Sequence, residues 1–95
     1  MNIKHKNTGH KGRFYYEVDG QEVAKMTYTH ANDDKIIIDH TEVDESLKGQ
    51  GIGYKLVDAS VEYAREHHIK ILPLCPFVSS VFKKKDDYTD VLFED

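Results

Sequence analysis

An α+β fold, in which an antiparallel meander leads into a strand–helix–strand crossover, is what this 95-residue sequence predicts. Three observations carry that expectation. Two alternating segments, 13–18 and 23–30, flank the dipeptide Asp19-Gly20. The apolar period lengthens from two to nearly four after Gly51. Apolar runs at 36–38 and 69–74 bracket the segment with the longer period.

The elements follow in order. Residues 2–6 form a short candidate strand closed by the turn-like Asn7-Thr8-Gly9. Along 13–18, Phe14, Tyr16 and Val18 share one face and Arg13, Tyr15 and Glu17 the other. Asp19-Gly20 is a two-residue hairpin signal, because a primed turn needs positive φ. Alternation resumes over 23–30 and brings Ala24, Met26 and Tyr28 together. After the polar turn 31–34, residues 35–43 make a β-branched strand. Its Ile36, Ile37 and Ile38 predict a central position covered on both faces. Ile52, Leu56, Ala59 and Tyr63 then mark the buried stripe of a helix reaching about His67, with Lys55, Asp58, Glu62 and Arg65 opposite. Residues 69–74 return as a strand parallel to 35–43, since crossovers of this kind join parallel neighbours. Pro73 cannot donate to a ladder, so one side of that strand is unpaired nearby. A short helix over 78–85, begun and capped by Ser79 and Ser80, and a final turn or helix over 86–95 docked by Tyr88, Val91, Leu92 and Phe93 complete one domain, residues 1–95.

Composition narrows the function. With 39% hydrophobic and 32% charged residues the chain predicts a thin core and a polar surface. No apolar run approaches the ~20 residues of a membrane helix. Basic residues near the start precede no apolar stretch, so the expected location is cytoplasmic, with no membrane partner. A monomeric or weakly dimeric state is expected. A net charge of −4 works against nucleic-acid binding, though backbone amides in one loop can still hold a small anion. The single cysteine, Cys75, excludes an internal disulfide and a multi-thiolate metal site. Adjacent His67-His68 cannot share a helix face, and His5, His10 and His30 are scattered, so no metal is expected.

The chemistry concentrates in Val43-Asp44-Glu45-Ser46-Leu47-Lys48-Gly49-Gln50-Gly51-Ile52-Gly53, between a strand and an amphipathic helix. Glycines at alternate positions allow a sharp turn and close approach of an anion to the backbone. The helix that starts there adds unpaired N–H groups and the positive end of its dipole, which suits a phosphate or diphosphate. Two nucleotide motifs fail. A Walker loop would need Lys-Ser/Thr after its last glycine, but Gly53 precedes Tyr54-Lys55; the dinucleotide fingerprint would need glycine where Tyr54 stands.

With Val43, Lys48, Gly51 and Gly53 in the spacing Val…Arg/Gln-x-x-Gly-x-Gly/Ala, the segment resembles the acetyl-CoA signature of the GNAT superfamily of acetyltransferases. Lys48 replaces the commoner Arg or Gln. The resemblance extends from about Ile36 to Phe82, and 40–43 and 73–78 resemble a minimal GNAT-like subfamily. It implies a GNAT-like mixed sheet with splayed parallel strands and acetyl-CoA as cofactor. The amides of Lys48, Gly49, Gln50, Gly51, Ile52, Gly53 and Tyr54 would hold the diphosphate. Pantetheine would lie between the strands, in reach of Phe77 and Ser79, and the thioester near Cys75. A backbone N–H near Val43 would polarise the acetyl carbonyl.

Activity then divides into open alternatives. Cys75 either takes the acetyl group as a nucleophile or packs as a small hydrophobe. His40, on the adjacent strand, is the candidate base for that thiol, and Glu42, of the same parity, the candidate base for an amine acceptor. The leading expectation is an acetyl-CoA-dependent N-acetyltransferase acting on an unidentified amine or protein acceptor. A non-catalytic acyl-CoA sensor and a protein-interaction domain are the alternatives, because only residues 7–12 stand where larger relatives build an acceptor pocket.

Overall fold

The computed structural model describes residues 2–93. Its five strands lie in the order of the chain: β1 (Lys4–Asn7), β2 (Lys11–Val18), β3 (Gln21–Asn32), β4 (Lys35–Val43) and β5 (Lys70–Pro73). The first four pair antiparallel and β5 joins β4 in parallel. Helix α1 (Ile52–His67) makes the crossover and α2 (Pro76–Lys84) follows β5. The result is the mixed α+β sheet expected, with the predicted parallel pair.

Local chemistry sets the boundaries. Asp19 and Gly20 both adopt positive φ, as the β2–β3 hairpin requires. α1 starts after Gly51, in the left-handed region, and stops where His68 does the same. There the amide of Ile69 donates to Ala64 O, with Arg65 and His67 complementing the dipole of the last turn. α2 begins two residues earlier than expected because Pro76 fits the first turn of a helix. Ser79 and Ser80 therefore lie inside the helix rather than capping it. A 3-10 segment, Asp86–Val91, closes the fold with Tyr88 and Val91 buried; Glu94 and Asp95, part of the predicted final turn, lie outside the described residues.

Among the described residues, one sheet face alone is covered. Phe14, Met26, Tyr28, Ile36, Ile38 and Ile71 are buried, and their pairings across the strands place them on the same side. α1 and α2 add Ile52, Leu56, Val57, Val61, Ala64, Val78, Val81 and Phe82 to the same cluster. Each Val, Leu, Ile, Met or Phe side chain among them contributes roughly 1.5–3 kcal/mol on burial. Three expectations are corrected here. Ile37 is only half-buried, since none of the described helices packs on the opposite face as α1 and α2 do over Ile36 and Ile38. Val18 is exposed beside the hairpin turn. The buried stripe of α1 runs through Val57, Ser60, Val61 and Ala64, leaving Ala59 and Tyr63 at its margin. Buried Ser60 is satisfied by donating to Val57 O at 2.6 Å.

The sheet has two dissimilar ends. At one, His5 stacks on Phe14 with centroids 4.2 Å apart and its Nε2 meets the Tyr28 hydroxyl at 2.5 Å. Tyr63 and His67 from α1 and His30 from β3 join them. At the other end β4 and β5 part. Their pairing stops at Ile38–Pro73, and the amides of Leu74 and Cys75 both donate to Ile38 O, at 3.0 and 3.1 Å. Residues 40–43 run on with a strand partner on the β3 side alone among the described residues. The described residues include no helix long and apolar enough to cross a membrane.

Candidate active site

The fork opens beside the glycine turn. Asp44 caps a single 3-10 turn, Glu45–Leu47, by accepting from the amide and hydroxyl of Ser46 at 3.0 and 2.7 Å. Those two bonds hold its carboxyl below the usual range. The chain then turns through Gly49 and Gly51, both at positive φ, where a Cβ would meet nothing within 4 Å. Gly53 differs, because a Cβ there would come within 2.7 Å of the Phe77 ring. The first two glycines serve the backbone and the third makes room for an aromatic.

Which amides remain available follows from the bonds already made. Lys48 N donates to Glu45 O at 3.2 Å and Gln50 N to Leu47 O at 3.3 Å. Those two members of the expected set are spent. The amides of Gly49, Gly51, Ile52, Gly53 and Tyr54 have no hydrogen-bond partner among the described residues. Unpaired amides at a helix start need water or a ligand. All five residues line one cleft of about 540 Å³, together with Thr41, Val43, Leu47, Lys48 and Phe77. Tyr54 and Phe77 meet edge to face across its wall, 5.7 Å between centroids. A smaller concavity of about 350 Å³ continues from Gly51 and Tyr54 to Lys55, Lys85 and Tyr88. The side chains of Lys48 and Gln50 turn back to Glu45 Oε1 and Ser46 O, 3.0 and 3.5 Å away. Ser79 is not in this cleft; it lines a surface concavity with Ser80, Lys83 and Lys84.

Strand β4 decides which side chains face the fork. Thr27 pairs with His40 but Tyr28 with Ile38, so Asp39 is an extra, bulged residue. The bulge resets the alternation: Thr41 and Val43 turn toward the covered side, while His40 and Glu42 are exposed. His40 and Glu42 form their own pair at 3.0 Å, both side chains 58% accessible. That hydrogen bond, with Lys25 nearby, keeps the Glu42 carboxyl ionised below its ordinary range. The expected pairing of His40 with Cys75 is therefore corrected. The group beside Cys75 Sγ is the Thr41 hydroxyl, at 3.5 Å.

Cys75 is 7% exposed and precedes α2. Burial pushes its thiol up, but the Thr41 hydroxyl and the amides of Val78, Phe77 and Thr41 outweigh that and bring it below the ordinary value. Cys75 does not itself line the cleft; Thr41 does. A larger concavity, about 650 Å³, lies across Val43 and holds Arg13, Glu22, Lys25, Glu42 and Asp44. Its charges are largely paired, Arg13 with Glu22 at 2.6 Å and Lys25 with Glu42 at 3.7 Å. Sequence reasoning missed Thr41 and Leu47. Leu47 was visible as the one apolar residue between Asp44 and Gly51; Thr41 was hidden by the bulge.

A mixed sheet forked beside a glycine-bounded helix start is the architecture of an acetyltransferase-type α+β protein. The chain belongs to the GCN5-related N-acetyl-transferase family, whose sequence model matches residues 13–91. Its structure is similar to that of a GCN5-like candidate N-acetyltransferase from Staphylococcus aureus, 38% identical, with 99% of this chain and 91% of that one covered and a TM-score of 0.74. The fold is shared with a GNAT family acetyltransferase from Elizabethkingia anophelis with acetyl-CoA bound, at 12% identity and a TM-score of 0.63; 76% of this chain and 63% of that one are covered. It is shared too with Tetrahymena GCN5, at 12% identity and a TM-score of 0.66, covering 92% and 62%. This chain thus spans less than two thirds of those last two.

Proposed function

We propose that this protein binds acetyl-CoA in the 540 Å³ cleft and transfers the acetyl group to an amine. One observation carries the reading: five residues with unpartnered amides, Gly49, Gly51, Ile52, Gly53 and Tyr54, all border the same cleft at the start of α1. Such amides with a helix dipole behind them suit a diphosphate without any cationic side chain. The Lys48 ammonium, already paired with Glu45, is secondary. Lys55 and Lys85 in the adjoining concavity supply positive charge for the nucleotide end.

Acetyl-CoA supplies an acyl thioester open to a nucleophile. The chain's own groups do the rest. Asp44 N donates to Val23 O at 2.8 Å, so strand alternation directs the Val43 N–H to the open side of the fork. From there it is placed to stabilise negative charge on a carbonyl oxygen. Val43 also borders the 650 Å³ concavity, which gives an amine access from the other side of β4. Ionised Glu42 lines that concavity and serves as the base for the incoming ammonium. His40 assists through its bond to Glu42 and takes no proton from the thiol. A second route would have Cys75 Sγ attack the thioester carbonyl and release coenzyme A as a thiol, the amine then displacing the cysteine thiolate. It requires Sγ, beside Thr41, to turn into the cleft that Thr41 lines.

The test is turnover of acetyl-CoA against polyamines, amino acids and peptides with a free N-terminus. Release of coenzyme A that depends on one amine class, reduced about a hundredfold in Glu42→Gln, is expected. Acetyl-CoA binding with no turnover for any amine would reduce the reading to a binding protein; absence of binding would overturn it. Radiolabel retained on the wild type and lost in Cys75→Ala assigns the two-step route.

A further inference from the structure

We propose that Thr41, not His40, is the positioning residue for Cys75: its hydroxyl holds Sγ beside the proposed cofactor cleft and hydrogen-bonds the thiolate when it forms. The inference rests on the reading that Cys75 takes part in acetyl transfer.

Three independent features of the structure converge on Thr41. The bulge at Asp39 turns its side chain inward and removes His40 to the exposed face, so the choice between the two is made by the backbone. Thr41 Oγ1 lies 3.5 Å from Cys75 Sγ. The same residue lines the cleft, so it borders both the sulfur and the space proposed for the cofactor. The surroundings of the sulfur agree. From β4 come the hydroxyl and amide of Thr41, and from the start of α2 the amides of Phe77 and Val78. These are uncharged donors, so the one side-chain group among them that can turn to follow the protonation state is the Thr41 hydroxyl. With the thiol protonated, Sγ donates and Oγ1 accepts; with the thiolate, the hydroxyl rotates and donates. Because Thr41 also fronts the cleft, an occupant of the cleft and the charge on Cys75 act on the same hydroxyl.

The full-length chain tests this by NMR. The Cβ shift of Cys75, the sole cysteine, is followed against pH in the wild type, Thr41→Val, Thr41→Ser and His40→Gln. Thr41→Val keeps the shape of the side chain, and its titration midpoint should rise by about one pH unit, a roughly tenfold loss of thiolate near neutrality. Thr41→Ser should restore the wild-type midpoint, and His40→Gln should leave it unchanged. A Thr41→Val midpoint equal to the wild type, or a shift in His40→Gln of the same size, overturns the proposal. The serine variant guards against a misfolded valine variant: a serine profile unlike the wild type counts against the role of the hydroxyl. The titration needs no cofactor, so it can fail while acetyl-CoA binding holds, and the reverse.

Discussion

The two ends of the sheet solve the same problem in opposite ways. At the closed end, aromatic rings and their polar tips satisfy one another: Tyr28 with His5, and Asn7 with Tyr63 and His30. Gly12 lies under the Tyr28 ring, where a Cβ would overlap it. At the forked end the backbone is left wanting. Five residues with partnerless amides border a cleft, β4 runs past its partner, and Gly51 holds positive φ in open space. Glycine is needed at both ends, under an aromatic at one and for a turn at the other. The difference teaches that the glycine turn leaves a group of amides without partners at one end of the sheet, while the other end is closed by its own side chains.

The contrast can be broken by mutation, and the largest effect belongs to the closed end. Tyr28→Ala removes a fully buried ring and strands His5, so urea denaturation should show a loss of about 4 kcal/mol. Acetyl-CoA affinity of the folded fraction should change little, because no cleft residue is touched. Gly51→Glu is the converse. Acetyl-CoA affinity by calorimetric titration should fall about a hundredfold, roughly 2.7 kcal/mol, since a carboxylate then faces the diphosphate. Its stability should drop by only ~1 kcal/mol, for left-handed backbone in a non-glycine residue.

A smaller effect is pH-dependent. Burial, with His67 and His30 close by, lowers the His5 pKa from its ordinary 6.5. The folded state thus prefers neutral His5, so this contribution is complete above pH 6.5 and is lost as pH falls through the lowered value. Wild-type urea midpoints should decline on that acidic side, and His5→Gln should flatten the decline. Smallest of all is Lys48→Ala. If the backbone makes the anion site, acetyl-CoA affinity should change no more than about twofold, as expected for removing an exposed, already paired cation.

Much of this was legible from periodicity and turn chemistry. Asp19-Gly20, the run 35–43 and the helix from Ile52 to His67 lie where alternation and the glycine turn place them. The parallel return of β5 follows from crossover geometry, and its early end from Pro73. What failed was parity. One extra residue, Asp39, exchanges Thr41 for His40 at the fork, and a bulge leaves no mark in composition. Coverage was also illegible: Ile37 is as apolar as Ile36, yet among the described residues no helix packs on its side of the sheet. The glycine turn was correct in outline and too generous in detail, since the 3-10 turn before it consumes the amides of Lys48 and Gln50.

The central claim is that main-chain N–H groups at the start of α1 grip the cofactor. A map of amide shifts during titration with acetyl-CoA tests it directly. The account predicts the largest changes at Gly49, Gly51, Ile52, Gly53 and Tyr54, with Lys48 and Gln50 moving less. Shifts centred on Arg13, Glu22 and Lys25, or no shifts near Gly51 at saturating acetyl-CoA, would contradict it.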